Sequence, residues 1–438
     1  MQHRDHGETE VTGTAGGLKR ELGLAEAVAV GLGAIVGAGL FVVTGVAAGV
    51  AGPAFLVGLV LAAGVAACNA MSSAQLAATF PQSGGSYEYG YRLLHPLLGF
   101  SAGWMFLASK LAAAGTVALG FAGYLGALLP FLPQRVSAVV AIVALTGVNY
   151  VGIKKAGRLN IAVVAITLLS LLYFVIAGVP AFRAANLLPF SPNGWPGILE
   201  SAALLFFAYT GYARLATLGD EVRSPRRTIP LAIMVSLGIS ALLYGSVALV
   251  AVGAVGAPEL AASSSPLQRA ALSFGARGAS RAVAVAATTA MLGVLLSQIL
   301  GISRMLYAMA QRGDMPAALG HVHPRYSVPD RGILLTGAVA VLVALLGTLQ
   351  AIVSAAAFTI LVYYSITNIA ALRLQPEQRR YPQWVAVAGL VGCVALALSL
   401  QPVAVLSGAG LLVVGHAWRA AFRALFPGTP SPQTRASD

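Results

Sequence analysis

Charge is what this chain has least of. Only 9 % of its 438 residues are Asp, Glu, Lys or Arg, against about 25 % in soluble domains, which is too little to coat a water-facing surface. Acids are rarer than bases, 14 against 27, leaving a formal charge of +13. That excess does not point to nucleic acid, because the basic residues are dispersed among loops rather than gathered on one stripe. Cysteine occurs twice, as Cys68 and Cys393, each inside an apolar run. Their spacing and context suggest neither a metal site nor a disulfide framework, and both read as packing residues. Histidines do not cluster with acids: His3 and His6 lie in the N-terminal segment, His95, His321 and His323 near loops, and His416 alone in the last apolar run. No metal or other cofactor is therefore expected, and the chain does not read as a membrane enzyme. No Gly-x-x-x-x-Gly-Lys-Ser/Thr sequence is present to couple ATP hydrolysis. The segment from Met1 to Lys19 is polar and mixed in charge, without the n-region and cleavage site of a secretory signal.

Apolar sequence, by contrast, is abundant: 58 % of the residues are hydrophobic and the mean hydropathy is +0.82. Runs of roughly 18 residues or more recur, each long enough to cross a hydrocarbon core of about 30 Å. The expected fold is an all-α polytopic membrane protein of about twelve transmembrane helices, at 22–47, 53–80, 97–130, 134–152, 159–180, 196–218, 229–256, 282–311, 331–348, 351–373, 382–400 and 402–425. Residues 1–21 and 426–438 read as cytoplasmic tails, the first of them disordered. With the N-terminus inside, the inner segments collect most of the basic residues, among them Lys19, Arg20, Lys154, Lys155, Arg158, Arg226, Arg227, Arg379 and Arg380. The outer ones hold only Arg135, Arg183, Arg269, Arg277 and Arg281. That asymmetry puts both termini in the cytoplasm, in the inner (plasma) membrane. Residues 81–87 read as a turn-rich inner loop, 219–227 as a charged inner loop, and 304–316 as an amphipathic helix end.

Two apolar segments carry glycine at membrane depth. The run from Leu22 to Val50 contains Gly31, Gly33, Gly37 and Gly39, each costing a helix about 1 kcal/mol relative to alanine. Two readings are open. Gly33 and Gly37 form a small-xxx-small pair suited to close helix packing. Alternatively the helix is broken there, which at this depth is tolerated only where the freed backbone groups face protein or an enclosed cavity. A dinucleotide fingerprint is excluded, because no strand–turn–helix context surrounds the glycines. Five spans later, Phe206-Phe207-Ala208-Tyr209-Thr210-Gly211-Tyr212-Ala213 sets another glycine in an apolar helix. Interrupted segments at corresponding positions of two halves are the sequence mark of a transporter built from inverted repeats, with its site at their interface. The pair favours the broken helix.

These segments resemble the amino acid–polyamine–organocation superfamily, and within it the bacterial amino acid permeases. The resemblance is carried by residues 33–41, 81–87 (Pro-Gln-Ser-Gly-Gly-Ser-Tyr), 99–104, 206–212, 220–225 and 303–309. It runs from about Leu22 to Leu374, in the family's order. It implies a leucine-transporter-like fold, a five-plus-five inverted repeat of residues 22–180 and 196–374, followed by two further helices in 381–425. It also implies the site. The substrate α-carboxylate would rest on the backbone amides of Val36, Gly37, Ala38 and Gly39. The α-amino group would be held by the carbonyls of Ala34, Ile35, Phe206 and Ala208. Phe206, Phe207 and Tyr209 would be gate or wall aromatics, and Gly37, Gly39 and Gly211 hinges. Exposed amides suit an anion and exposed carbonyls a cation, so two broken helices can grip a zwitterion without a charged side chain.

The chain departs from the family pattern at four positions. The helix 5 lysine of proton-coupled members, nine residues after a Gly-Arg pair, is replaced by Thr167, counting from Gly157-Arg158. Lys110, seven residues after Gly103, stands where many relatives have glutamate. A buried ammonium is expensive and its pKa mobile, which makes Lys110 a candidate coupling residue; pairing with an acid, Glu200 being one conceivable partner, or snorkelling is the alternative. Arg214 and Gln75 stand where relatives often have acids, which argues against a cationic substrate. Arg214 either lines the inward pathway or reaches cytoplasmic water. Ser297 and Tyr363 are loosely placed at the pocket. The leading expectation is a secondary transporter of L-amino acids, by proton or sodium symport or by exchange, with the lipid bilayer as its surroundings. A polyamine permease of the same fold, a channel and a membrane enzyme are the rivals.

Overall fold

The computed structural model describes residues 23–80, 84–152, 156–217 and 222–425; both expected tails, Pro81 to Ser83, Lys154, Lys155, Asp220 and Glu221 lie outside them. No strand occurs among the described residues, and the α-helices run α1 (Leu24–Ile35), α2 (Ala38–Phe41), α3 (Val43–Ala51), α4 (Phe55–Thr79), α5 (Gly85–Leu93), α6 (Pro96–Leu128), α7 (Gln134–Val151), α8 (Ala156–Gly178), α9 (Gly194–Tyr209), α10 (Pro225–Val255), α11 (Ala257–Ala261), α12 (Pro266–Leu272), α13 (Ala279–Gln311), α14 (Asp330–Leu346), α15 (Leu349–Leu372), α16 (Gln383–Leu398) and α17 (Pro402–Leu425). Nine stretches among the described residues are long and apolar enough to cross a membrane, so the chain is an all-α multi-pass membrane protein. Each of the expected apolar segments is occupied by helix. The larger expected number of crossings includes α9, α14 and α16, which have only 16, 17 and 16 residues.

The helices sort by packing into two groups. α4 packs on α9 and α10, and α1 on α10, while α6, α7, α13 and α14 form a second set, and α15 touches both through α4 and α6. α8 lies along α13 and α1, and its outer side is apolar and exposed, with Leu169, Leu172 and Ile176 more than half accessible. An apolar exposed stripe on an apolar helix is the face presented to lipid. Four threonines inside the bundle satisfy their hydroxyls locally: Thr44, Thr116, Thr146 and Thr336 each donate to the carbonyl four residues back.

The stretch read as a turn before Tyr87 is, from Gly85 onward, the helix α5. Glu88 and Arg92 pair one turn apart, and Tyr87, Tyr89 and Gly90 are buried against the bundle. α5 is fastened to the end of α13 by Asp314, which has no exposed side-chain surface. Its carboxylate accepts from Tyr87 Oη (2.8 Å), Tyr91 Oη, Arg419 Nε (3.1 Å) and Arg423 Nη2 (3.2 Å). Arg312 bridges to Glu88 and lies over the Tyr91 ring, 4.3 Å from its centroid. One acid thus joins α5, the α13 terminus and α17.

Candidate functional site

Both glycine-bearing segments are broken. α1 ends at Ile35; Val36 (φ −77°, ψ 100°) and Gly37 (φ −165°, ψ −143°) leave the helix, and the single turn α2 follows. The Val36 amide still makes the last bond of α1, to Leu32 O (2.8 Å), whereas the amides of Gly37, Ala38 and Gly39 have no partner among the described residues. In the second segment α9 stops at Tyr209, and the chain continues as a 3-10 helix of 8 residues, Thr210–Thr217, rather than as the α-helical half expected. Runs of that kind longer than about four residues are uncommon and mark hinges. The Thr210 amide turns to Phe207 O, which takes away the α-helical partner of the Phe206 carbonyl.

The breaks meet backbone to backbone. A Cβ on Gly39 would lie 2.4 Å from Ala208 Cα, and one on Gly211 would lie 2.2 Å from Ala34 O and 2.5 Å from Ile35 N. Tyr244 of α10 ties the two together: its hydroxyl donates to Ile35 O (2.7 Å) and lies 3.3 Å from Ala208 O, while its ring packs on Tyr209. Leaving buried carbonyls without that donor costs about 1–3 kcal/mol. Tyr244→Phe should therefore lower the melting temperature of the purified protein by several degrees and slow uptake, read by thermal shift and proteoliposome assay.

Between the breaks lies a cavity of about 30 Å³, far below the roughly 300–1,000 Å³ of clefts that hold ligands. Ala34, Ile35, Gly37, Ala38 and Gly39 line it on one side, Phe207, Ala208 and Gly211 on the other. Three expected contacts do not line it. Val36 faces a second cavity, Phe206 packs edge-on against Tyr364 (5.6 Å), and Tyr209 lies against Tyr244. Thr210 of the second glycine-bearing segment also lines it, and three residues singled out by no motif complete the wall: Val117, Val294 and Gln298. Only Gln298 carried a signal, a carboxamide inside an apolar run.

Lys110 lines the same cavity, whereas Thr167 lines the second one, with Leu32 and Gly33 of α1, Val163 and Leu168 of α8, and Ala290 and Gly293 of α13. The two expected coupling positions are thus not brought together. Thr167 donates its hydroxyl to Val163 O (2.8 Å). Among the described residues Lys110 makes no ion pair, and its ammonium stands 5.7 Å from the Phe106 ring centroid. Glu200, the conceivable partner, forms no ion pair with Lys110, and its Oε1 is buried without a hydrogen-bond partner among the described residues. Placing lysine at this depth costs about 2.5–3.5 kcal/mol on insertion scales. Arg214 reaches α13, donating to Ser297 Oγ. Tyr363 turns its hydroxyl to the Ser86 amide (3.3 Å), and Gln75 accepts from the amides of Arg380 and Tyr381. Cys393 accepts from Asn69 Nδ2 (3.1 Å), and Asn69 is joined in turn to Asn368. Both cysteines are free thiols. His416 bonds Ser101 (3.0 Å).

The sequence profile described as "Amino acid permease" matches residues 22–421. The chain belongs to that family. It is 43 % identical over 403 residues to an uncharacterised transporter of Mycobacterium tuberculosis, covering 91 % of this chain and 90 % of that one. It is 28 % identical to a branched-chain amino acid permease of Bacillus subtilis, over 84 % of this chain and 83 % of the relative. It is 33 % identical to cationic amino acid transporter 4 of Mus musculus, over 82 % of this chain and 60 % of the relative. Membership makes the protein a transporter of amino acid permease type.

Proposed function

We propose that this permease moves L-amino acids by alternating access at the junction of the two broken segments, driven by cation symport, with the proton first in line, or by exchange of one amino acid for another. The observation that carries the reading is the meeting of the breaks. The unpaired amides of Gly37, Ala38 and Gly39 stand on one side, a donor set for the substrate carboxylate, and Ala208 and Gly211 of the second break stand on the other. The Phe206 carbonyl, which loses its Thr210 partner, is the acceptor this reading gives the α-amino group. Relatives named for branched-chain and for cationic amino acids support the substrate class. In this reading residues 22–180 and 196–374 are the inverted repeats, both termini are cytoplasmic, and the group of α1, α4, α9 and α10 rocks against that of α6, α7, α13 and α14 to open the cavity to each face.

Uptake of radiolabelled amino acids into proteoliposomes tests it. Saturable uptake that requires only internal unlabelled amino acid identifies an exchanger; uptake raised by an imposed proton or sodium gradient identifies a symporter; no saturable uptake of any amino acid overturns the reading. Gradient drive lost in Lys110→Met with exchange retained assigns coupling to Lys110. The same loss in Thr167→Val assigns it to the second cavity.

A further inference from the structure

We propose that the site selects amino acids with an acidic side chain, whose extra carboxylate balances the ammonium of Lys110. This rests on the permease reading above and names its substrate class.

Lys110 is the one charged side chain that lines the cavity. No described residue forms an ion pair with it. Most described acids have partners of their own: Glu88 with Arg92 and Arg312, Glu259 with Arg269, Asp314 with Arg419 and Arg423, Asp330 with His321, and Glu26 with the Gly23 amide; neither Glu200 nor Glu377 forms an ion pair with Lys110.

A zwitterion brings equal and opposite charges, which the amides and carbonyls of the breaks can meet. With a neutral side chain the occluded state of the transport cycle would hold one uncompensated positive charge, which a low-dielectric interior penalises. A basic side chain adds a like charge and is rejected for the same reason. Only an acidic side chain brings the occluded complex to neutrality. The Gln298 carboxamide adds a neutral donor for that carboxylate.

The test is counterflow into proteoliposomes loaded with unlabelled substrate, which needs no driving gradient and so separates selection from coupling. External radiolabelled L-glutamate, L-aspartate, L-glutamine, L-leucine and L-lysine are compared, each against its own internal pool. The wild type is expected to exchange glutamate or aspartate ahead of glutamine by at least about tenfold. Lys110→Met should erase that preference, Lys110→Arg should keep it, and Lys110→Glu should turn it toward lysine. Exchange of leucine or lysine with glutamate excluded overturns the proposal and leaves the permease reading standing. An acidic preference unchanged in Lys110→Met also overturns it. Failure of every amino acid to exchange overturns both. Because the wild-type panel is itself decisive, a variant that does not fold leaves the test intact.

Discussion

Gly211→Val should give a protein that inserts into the membrane, melts well below the wild type and transports nothing. The added Cβ would sit 2.2 Å from Ala34 O, 2.3 Å from Ala34 C and 2.5 Å from Ile35 N, and all three are backbone atoms, which cannot swing aside as a side chain does. Restoring an ordinary carbon contact of about 3.5 Å requires the broken segments to part by roughly 1 Å. Overpacking of this kind costs about 1–3 kcal/mol or more, and here the displaced backbone is the wall of the cavity itself. Gly64→Ala is the matched control, since a Cβ there meets nothing within 4 Å, and it should keep both the melting temperature and the uptake rate. Wild-type transport by Gly211→Val would show that the contact of the two breaks does not form the site.

Asp314→Asn should destabilise the protein by about 3–5 kcal/mol, the usual effect of removing one partner of a buried ion pair. Arg419, only 5 % exposed, would then be a buried cation facing a neutral amide. Arg423 adds little to this figure, because it is 49 % exposed and screened by water. Burial and the adjacent Asp314 carboxylate push the hydroxyls of Tyr87 and Tyr91 up from their ordinary pKa, so both stay donors across the physiological range. The loss therefore falls on four groups at once. Thermal unfolding of the purified variant reads the stability, and faster proteolysis around α5 reads its release from α13 and α17. An unchanged melting temperature would show that the cluster does not hold these helices together.

Much of this architecture was legible because the membrane makes its demands in composition. Apolar runs of spanning length had to be helices, and helix occupies every one of them. The breaks were legible because glycine recurs at corresponding positions of two apolar segments, which favoured interruption over close helix packing. What escaped was set by contact rather than by period. No pattern in residues 205–217 distinguishes a 3-10 continuation from an α-helical one, because the choice depends on how the segment packs on α1. Nor does sequence show that the Val36 amide is already engaged by Leu32, or that Tyr244, far along the chain, supplies a hydroxyl to the carbonyl of Ile35. The expected turn before Tyr87 became helix because Tyr87 and Tyr91 dock on Asp314, more than two hundred positions away. Lys110 was visible as an anomaly, yet only the fold puts it on the cavity and leaves it without a carboxylate partner among the described residues.

The form of the segment after Tyr209 stores a displacement. A 3-10 helix rises about 2.0 Å per residue where an α-helix rises about 1.5 Å. Rewinding the 8 residues of Thr210–Thr217 would therefore shorten the segment by about 4 Å and turn its far end by about 160°. Its near end is pinned where Gly211 abuts Ala34, so all of that travel would appear at the far end. Arg214, midway along, would be drawn off Ser297 by the same motion, linking the length of one short helix to the loss of a single arginine contact.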